Sequence, residues 1–252
     1  RGLGLVRGVN VGEDGNPAFC LDAGEDAEAL LESRSAEGVH AGAVGLVEGG
    51  LEDEQSGDAA DLAGHQMDVL LGFDDARAGD EEQRLAVSAG EGPPDARLVF
   101  VGEGPGAEED KVGRPFVGKA GQLLTDIIEK GFKLRRSDVY ITNVVKCRPP
   151  GNRDPENDEI ETCLPFLKQQ LGIIKPEVIC VLGRIAGQAL LGGDFKITHK
   201  RGAWHSYMDI PVMPTYHPAY IIRNPSRERE LKGQVWEDIK KIMKHLGLPK
   251  SP

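Results

Sequence analysis

Three residues stand where apolar runs give way to polar loops, and each offers a different chemistry. Asn143 lies late in DVYITNVV (138–145), and its carboxamide can both donate and accept, so it can read a polar edge. His217 ends the run IPVMPTYHP just before Pro218, which favours an extended backbone at the histidine. An imidazole there can donate, accept or carry a proton. Glu103 sits in GEGPG, directly after RLVFV, with Phe116 a short way on in RPFVGKAG. A Gly-rich turn after a strand commonly offers main-chain N–H groups to an anion. This one carries Glu103, Glu108, Glu109 and Asp110, the wrong sign for a phosphate cradle. A dinucleotide fingerprint also fits badly, because the glycines read G-x-G-x-G with Pro105 in the turn and no acid follows a second strand at the needed spacing. A P-loop fails because Lys119 is followed by Ala. An ordinary strand-to-helix turn is the plain alternative for these five residues, as a core Phe is for Phe116. A lone His beside Pro is more often structural, and His199 and His205 show no metal-ligand spacing.

These residues need a frame. RLVFVG (97–102), DVYITNVV, EVICVLG (177–183) and IPVMPTYHP (210–218) are short apolar runs rich in β-branched residues, the mark of strands covered on both faces. Helical patterns alternate with them. GKAGQLLTDIIEKG puts Leu123, Leu124, Ile127 and Ile128 on one face and is expected to end at Gly131. In RDPENDEIETCLPFLKQQLG, Asp154 is the expected N-cap and Pro155 the first helical residue. GRIAGQALLG makes a short helix, and the last helix buries Leu231, Val235, Ile239, Ile242 and Leu246. The alternation predicts a three-layer α/β/α sandwich around a central four-stranded parallel sheet. Ligands of such sheets bind at the carboxyl ends of the strands, where Glu103, Asn143 and His217 fall.

Composition divides the 252-residue chain in two. Residues 1–97 contain no Lys and carry a net charge of −16, whereas residues 98–252 carry +5 within an overall −11. Only the second part has the sign of a nucleic-acid binder. Residues 1–83 are expected to be an acidic segment, disordered or not native coding sequence, and 84–252 to be the functional domain. Four cysteines are too few for a disulfide scaffold. With no signal-like start and no long apolar run, no membrane association and a cytoplasmic location are expected.

GEGPGAEEDKVGRPFVGKAGQLL, TNVVKCRPPGNRDP, CLPFL and TYHPAYIIRNP occur in one order at suitable distances. Together they resemble the family 4 uracil-DNA glycosylases, the iron–sulfur branch of that superfamily, from about Arg84 to Gly247. The resemblance implies an enzyme that hydrolyses the N-glycosidic bond of deoxyuridine in DNA and so begins base excision repair. A base must leave the stack to enter such a pocket. The implied substrate-binding residues are Glu103, Gly104, Phe116, Asn143 and His217. Phe116 stacks on uracil, Asn143 reads its O4 and N3–H, and His217 bonds O2 as negative charge develops. His217 and Glu103 are the catalytic pair. The better-known branch has Asp at the Gly104 position to orient water, so here Glu103, backbone carbonyls or both must do so. The acids 108–110 are expected to be a helix-start or solvent feature. Tyr220 and Ile221 are expected to wedge the duplex open, with Arg223 and Arg227 on phosphates.

The family's 4Fe–4S cluster takes four cysteines. Cys147 and Cys163 match the later two. The earlier pair is missing, since DDARAG (74–79) stands in its place. Only half of the ligand set is therefore expected. The expected partners are uracil-containing DNA and other repair proteins, and the chain is expected to act as a monomer. A uracil-DNA binder that traps its product is one alternative, disfavoured because CRPPGNRDP lacks the His of the trapping branch. An inactive DNA-binding protein of the same fold is another.

Overall fold

The computed structural model describes residues 87–249. The acidic segment 1–83 lies outside them. Five strands form one sheet: β1 (Leu98–Gly102), β2 (Tyr140–Asn143), β3 (Val178–Leu182), β4 (His205–Tyr207) and β5 (Ile210–Thr215). Their order is β2-β1-β3-β5-β4. The four strands read from the sequence are all parallel to their neighbours, and β4 adds an antiparallel edge to β5. The β4–β5 turn places Met208 and Asp209 at φ 51° and 61°. Two consecutive left-handed residues are the mark of a tight hairpin turn, usually signalled by Asn-Gly.

Alternation along the strands feeds two cores. Leu98 and Phe100 of β1, with Val178 and Cys180 of β3, face one; Val99 and Val101, with Ile179 and Val181, face the other. The described residues form seven α-helices, most of which pack on these faces: α1 (Ala107–Val112), α2 (Lys119–Asp126), α3 (Asn157–Ile174), α4 (Gly183–Leu191), α5 (Ile197–Lys200), α6 (Pro218–Arg223) and α7 (Glu228–His245). The first core takes Leu124 of α2, Ile221 of α6 and Leu231, Val235, Ile239 and Ile242 of α7. The second takes Leu167 and Leu171 of α3 and Ala186 and Leu190 of α4. This is the three-layer α/β/α arrangement, with burial on both sheet faces accounting for the continuous apolar runs.

Two helix boundaries differ from expectation. After α2 the chain widens into a π-turn, Ile127–Phe132, and ends at Lys133 with φ 61° rather than at Gly131. Ile128 and Phe132 are both buried, and keeping both in the core carries the helix past the glycine. At α3 the cap is Glu156, not Asp154. The Glu159 carboxylate accepts the Glu156 N–H at 2.7 Å, while Asp154 binds Arg184 at 2.5 Å.

Candidate active site

The site forms where β1 and β2 end level. Gly102 and Asn143 are register partners, and the ladder runs past both strands through Val144 N–H to Gly102 O and Val145 N–H to Glu103 O, each 3.0 Å. A Cβ at residue 102 would overlap both Asn143 Oδ1 and the tip of the Phe116 ring. Glycine there lets amide and ring share one space. The Asn143 side chain is 1 % exposed, yet neither its oxygen nor its nitrogen has a hydrogen-bond partner. Leaving such a group unsatisfied costs about 1–3 kcal/mol, so it calls for an explanation.

Phe116 is buried with φ 54°. Its carbonyl lies where a side chain at Gly121 would have to go, so the start of α2 packs directly onto the loop. The His217 ring is 5.5 Å from the Phe116 ring, tilted 31°. His217 caps α6, and its Nδ1 accepts the Ala219 N–H at 3.1 Å. That bond leaves the proton of a neutral imidazole on Nε2. The residue as a whole is partly exposed, while its titrating ring is surrounded by protein. Burial, followed by the charge of Arg223, lowers its pKa to about 4, so it is neutral at ordinary pH.

Glu103 is half-buried. Burial raises its carboxyl above the ordinary range and Asp154 adds to this, while Arg184 and Arg223 oppose it. Gly104 packs against Val145. Glu103, Gly104, Phe116, Asn143 and His217 thus converge on one end of the sheet, with Arg223 acting on Glu103 and His217. A cavity of about 420 Å³ lies at the opposite end, between Arg97, Leu134, Arg135 and Leu246. Arg97 and Arg135 there are paired with Glu177 and Asp138, so it offers no unmet polar group of this kind.

Other expected site residues need correction. Ile221 is 1 % exposed and belongs to the core, so it cannot wedge a duplex; Ile222 and Tyr220, at 42 % and 37 %, are the exposed large apolar residues of α6. Consecutive helix positions point about 100° apart, which puts the two isoleucines on different faces. Arg223 is exposed, and Arg227 is exposed but paired with Glu230 at 2.8 Å. The acids 108–110 do form the first turn of α1, as expected, and Glu109 is there a buried helix-start residue rather than a solvent one. Its buried carboxylate accepts N–H groups of Gly106 at 3.2 Å, Val117 at 2.9 Å and Gly118 at 2.8 Å, tying the Glu103 loop to the Phe116 loop. Its position three residues after Gly106, where a carboxylate can reach back to the cap, was the available signal.

The metal expectation fares differently. The Cys163 thiol accepts the Lys146 N–H, so the two cysteine-bearing segments do meet, and burial raises the Cys163 pKa. The third described cysteine, Cys180, faces the other core from β3, however, so these residues bring together at most two of the four thiolates that the cluster takes. Among the described residues no group of three His, Cys, Asp or Glu side chains is placed to hold a metal. The described residues do not fit a four-thiolate cluster.

The residues that build this end of the sheet lie within a stretch of the chain that has known relatives. The family model for the uracil DNA glycosylase superfamily matches residues 89–240, and the chain belongs to that superfamily. Within it, the similarity is to the type-4 enzymes. The type-4 uracil-DNA glycosylase of Sulfurisphaera tokodaii is 49 % identical over 169 residues, covering 64 % of this chain and 75 % of that protein. That of Thermotoga maritima is 51 % identical over 160 residues, covering 63 % and 82 %. That of Pyrobaculum aerophilum is 45 % identical over 159 residues, covering 60 % and 78 %.

Proposed function

We propose that the chain removes uracil from DNA by hydrolysing the N-glycosidic bond of deoxyuridine, leaving an abasic site for base excision repair. The observation that carries this reading is the Asn143 carboxamide, buried and unpartnered beside Phe116. Uracil supplies what it lacks: O4 accepts from its N–H and N3–H donates to its oxygen. Cytosine presents the opposite pattern and leaves both groups unmet. Phe116 stacks on the flipped base. As the bond from C1′ to N1 breaks, its electron pair moves onto the base, and charge gathers at O2 within reach of His217. The imidazole is already neutral, so it donates from Nε2 with its one remaining ring N–H, a far weaker acid than an imidazolium, and that proton stays on the enzyme. Water held by Glu103 and the loop carbonyls adds at C1′, and the proton it loses neutralises the departing uracil anion. Uracil-containing DNA is the partner this chemistry requires.

The test is excision from a single-stranded oligonucleotide carrying one deoxyuridine, read as alkali-sensitive abasic sites. The chain should cleave it, and Asn143→Asp should be slower by ~100-fold, since its carboxylate cannot donate to O4. No abasic product, or a covalent adduct on a denaturing gel, overturns the reading.

A further inference from the structure

Phe116 is an aromatic residue in the left-handed region, a conformation that persists only where its surroundings impose it. Glu109 holds the residues after it. The residues before it are held by a second buried carboxylate, Glu91. Arg136 donates from Nη2 to the Pro115 carbonyl at 2.7 Å and from Nη1 to the Thr125 hydroxyl of α2 at 3.0 Å. Its guanidinium also meets both Glu91 oxygens, at 3.2 and 3.3 Å, and Arg114 reaches Glu91 at 2.9 Å. The two residues preceding Phe116 are thus anchored on one acid. Burial alone would raise the Glu91 pKa, but its bonds and charge contacts with Arg114 and Arg136 outweigh that and hold it ionised.

The main chain of Glu91 is tied elsewhere. Its N–H donates to Ile141 O at 2.9 Å, and its carbonyl accepts the Ile141 N–H at 2.7 Å. Ile141 lies on β2, two residues before Asn143. One residue therefore grips the strand that ends in the reading amide with its backbone, and the loop of the stacking ring with its side chain.

We propose that Glu91 and Arg136 form a positioning unit that sets the spacing between Phe116 and Asn143. This rests on the reading of the site as a uracil pocket. Neither residue touches the base; both act through Phe116. A misplacement of about 1 Å costs up to ~100-fold in rate, so a partial loosening should cost roughly tenfold.

The test is a double-mutant cycle on the full chain. Glu91→Gln keeps the backbone bridge and the side-chain shape but loses the charge. Arg136→Lys keeps the charge but cannot hold Glu91 and the Pro115 carbonyl together. Each should slow single-turnover excision roughly tenfold with DNA affinity nearly unchanged, and add little once Phe116→Ala is already present. A role in stability alone would lower the melting temperature and slow both backgrounds by the same factor. Equal factors in the two backgrounds, or no slowing by either substitution, overturn the unit. If Glu91→Gln does not fold, Arg114→Gln, partly solvent-exposed, carries the same cycle with the same expected coupling. An inactive unaltered chain overturns the functional reading and the unit with it. An active unaltered chain with independent losses overturns the unit alone.

Discussion

Thr142 and Asn143 are neighbours on β2, both fully buried, and their side chains meet opposite fates. The Thr142 hydroxyl donates to Ala89 O at 2.9 Å and accepts from Lys146 Nζ at 2.8 Å. Lys146, itself buried, also donates to Gln170 Oε1 at 2.7 Å and to the Asn143 carbonyl at 2.8 Å. Gln170 donates in turn to Ala89 O at 2.7 Å and to the Tyr140 hydroxyl at 3.2 Å. On the other face the Asn143 carboxamide has no partner. Burial is the same on both sides, and only the supply of partners differs. A satisfied network specifies structure, while an unsatisfied group in a packed native site marks where a ligand completes the bonds. The comparison predicts that substitutions on the pocket face lose rate and keep stability, and that substitutions on the network face do the reverse.

His217→Ala tests the pocket face with the largest expected effect. Loss of one donor to a developing anion lowers the chemical step by ~100-fold or more. Single-turnover excision should fall by that factor while DNA affinity barely changes. A loss of affinity without a loss of rate would make His217 a DNA contact instead. Its titration adds a second reading. The folded pKa of about 4 lies below the usual value of 6.5, so between them the unfolded chain binds more protons. The contribution of His217 to stability is therefore complete above about pH 6.5 and is lost as pH falls toward 4. Melting temperatures across that window should fall less steeply in His217→Ala than in the unaltered chain.

Lys146→Met tests the network face. It leaves Thr142, Gln170 and the Asn143 carbonyl short of a donor, at a cost of about 2–3 kcal/mol. Urea unfolding should show that loss. Asn143→Ala, which removes a side chain with no bonds to lose, should cost about 1 kcal/mol or less, mostly packing. If the two variants unfold at the same urea concentration, the contrast between the faces is wrong.

The sheet was legible because strands buried on both sides leave long apolar runs, and the loop ends could be placed because parallel sheets put function there. The edge strand β4 was not legible, since its turn uses Met208 and Asp209 rather than Asn-Gly. The acids 108–110 look alike in one dimension; only folding puts Glu109 under two loops while Glu108 pairs with Lys111 at the surface. Glu91 was hidden more deeply. Its partners Arg114 and Arg136 lie 23 and 45 positions away, and nothing local marks it as part of the site. The run Tyr-Ile-Ile was ambiguous for another reason. The six-residue helix α6 is too short for a periodic pattern to tell its buried isoleucine from its exposed one.

That ambiguity supplies the smallest predicted effect. Tyr220 and Ile222 are exposed beside the helix start that carries His217, and the Tyr220 ring lies 5.3 Å from that of Tyr216. An apolar side chain here can fill the gap left when a base flips out of a duplex, but it has no such work on a single strand. Replacing Tyr220 and Ile222 together by Ala should therefore slow excision roughly tenfold or less on a U·A pair. The loss should be smaller on a U·G mismatch and absent on single-stranded DNA. Ile221→Ala has a different signature. It empties a core position at a cost of about 2–5 kcal/mol, lowering the melting temperature and affecting every substrate alike. Equal losses on all three substrates for the Tyr220/Ile222 variant, with its melting unchanged, would rule out the wedge and leave α6 as a support for His217 alone.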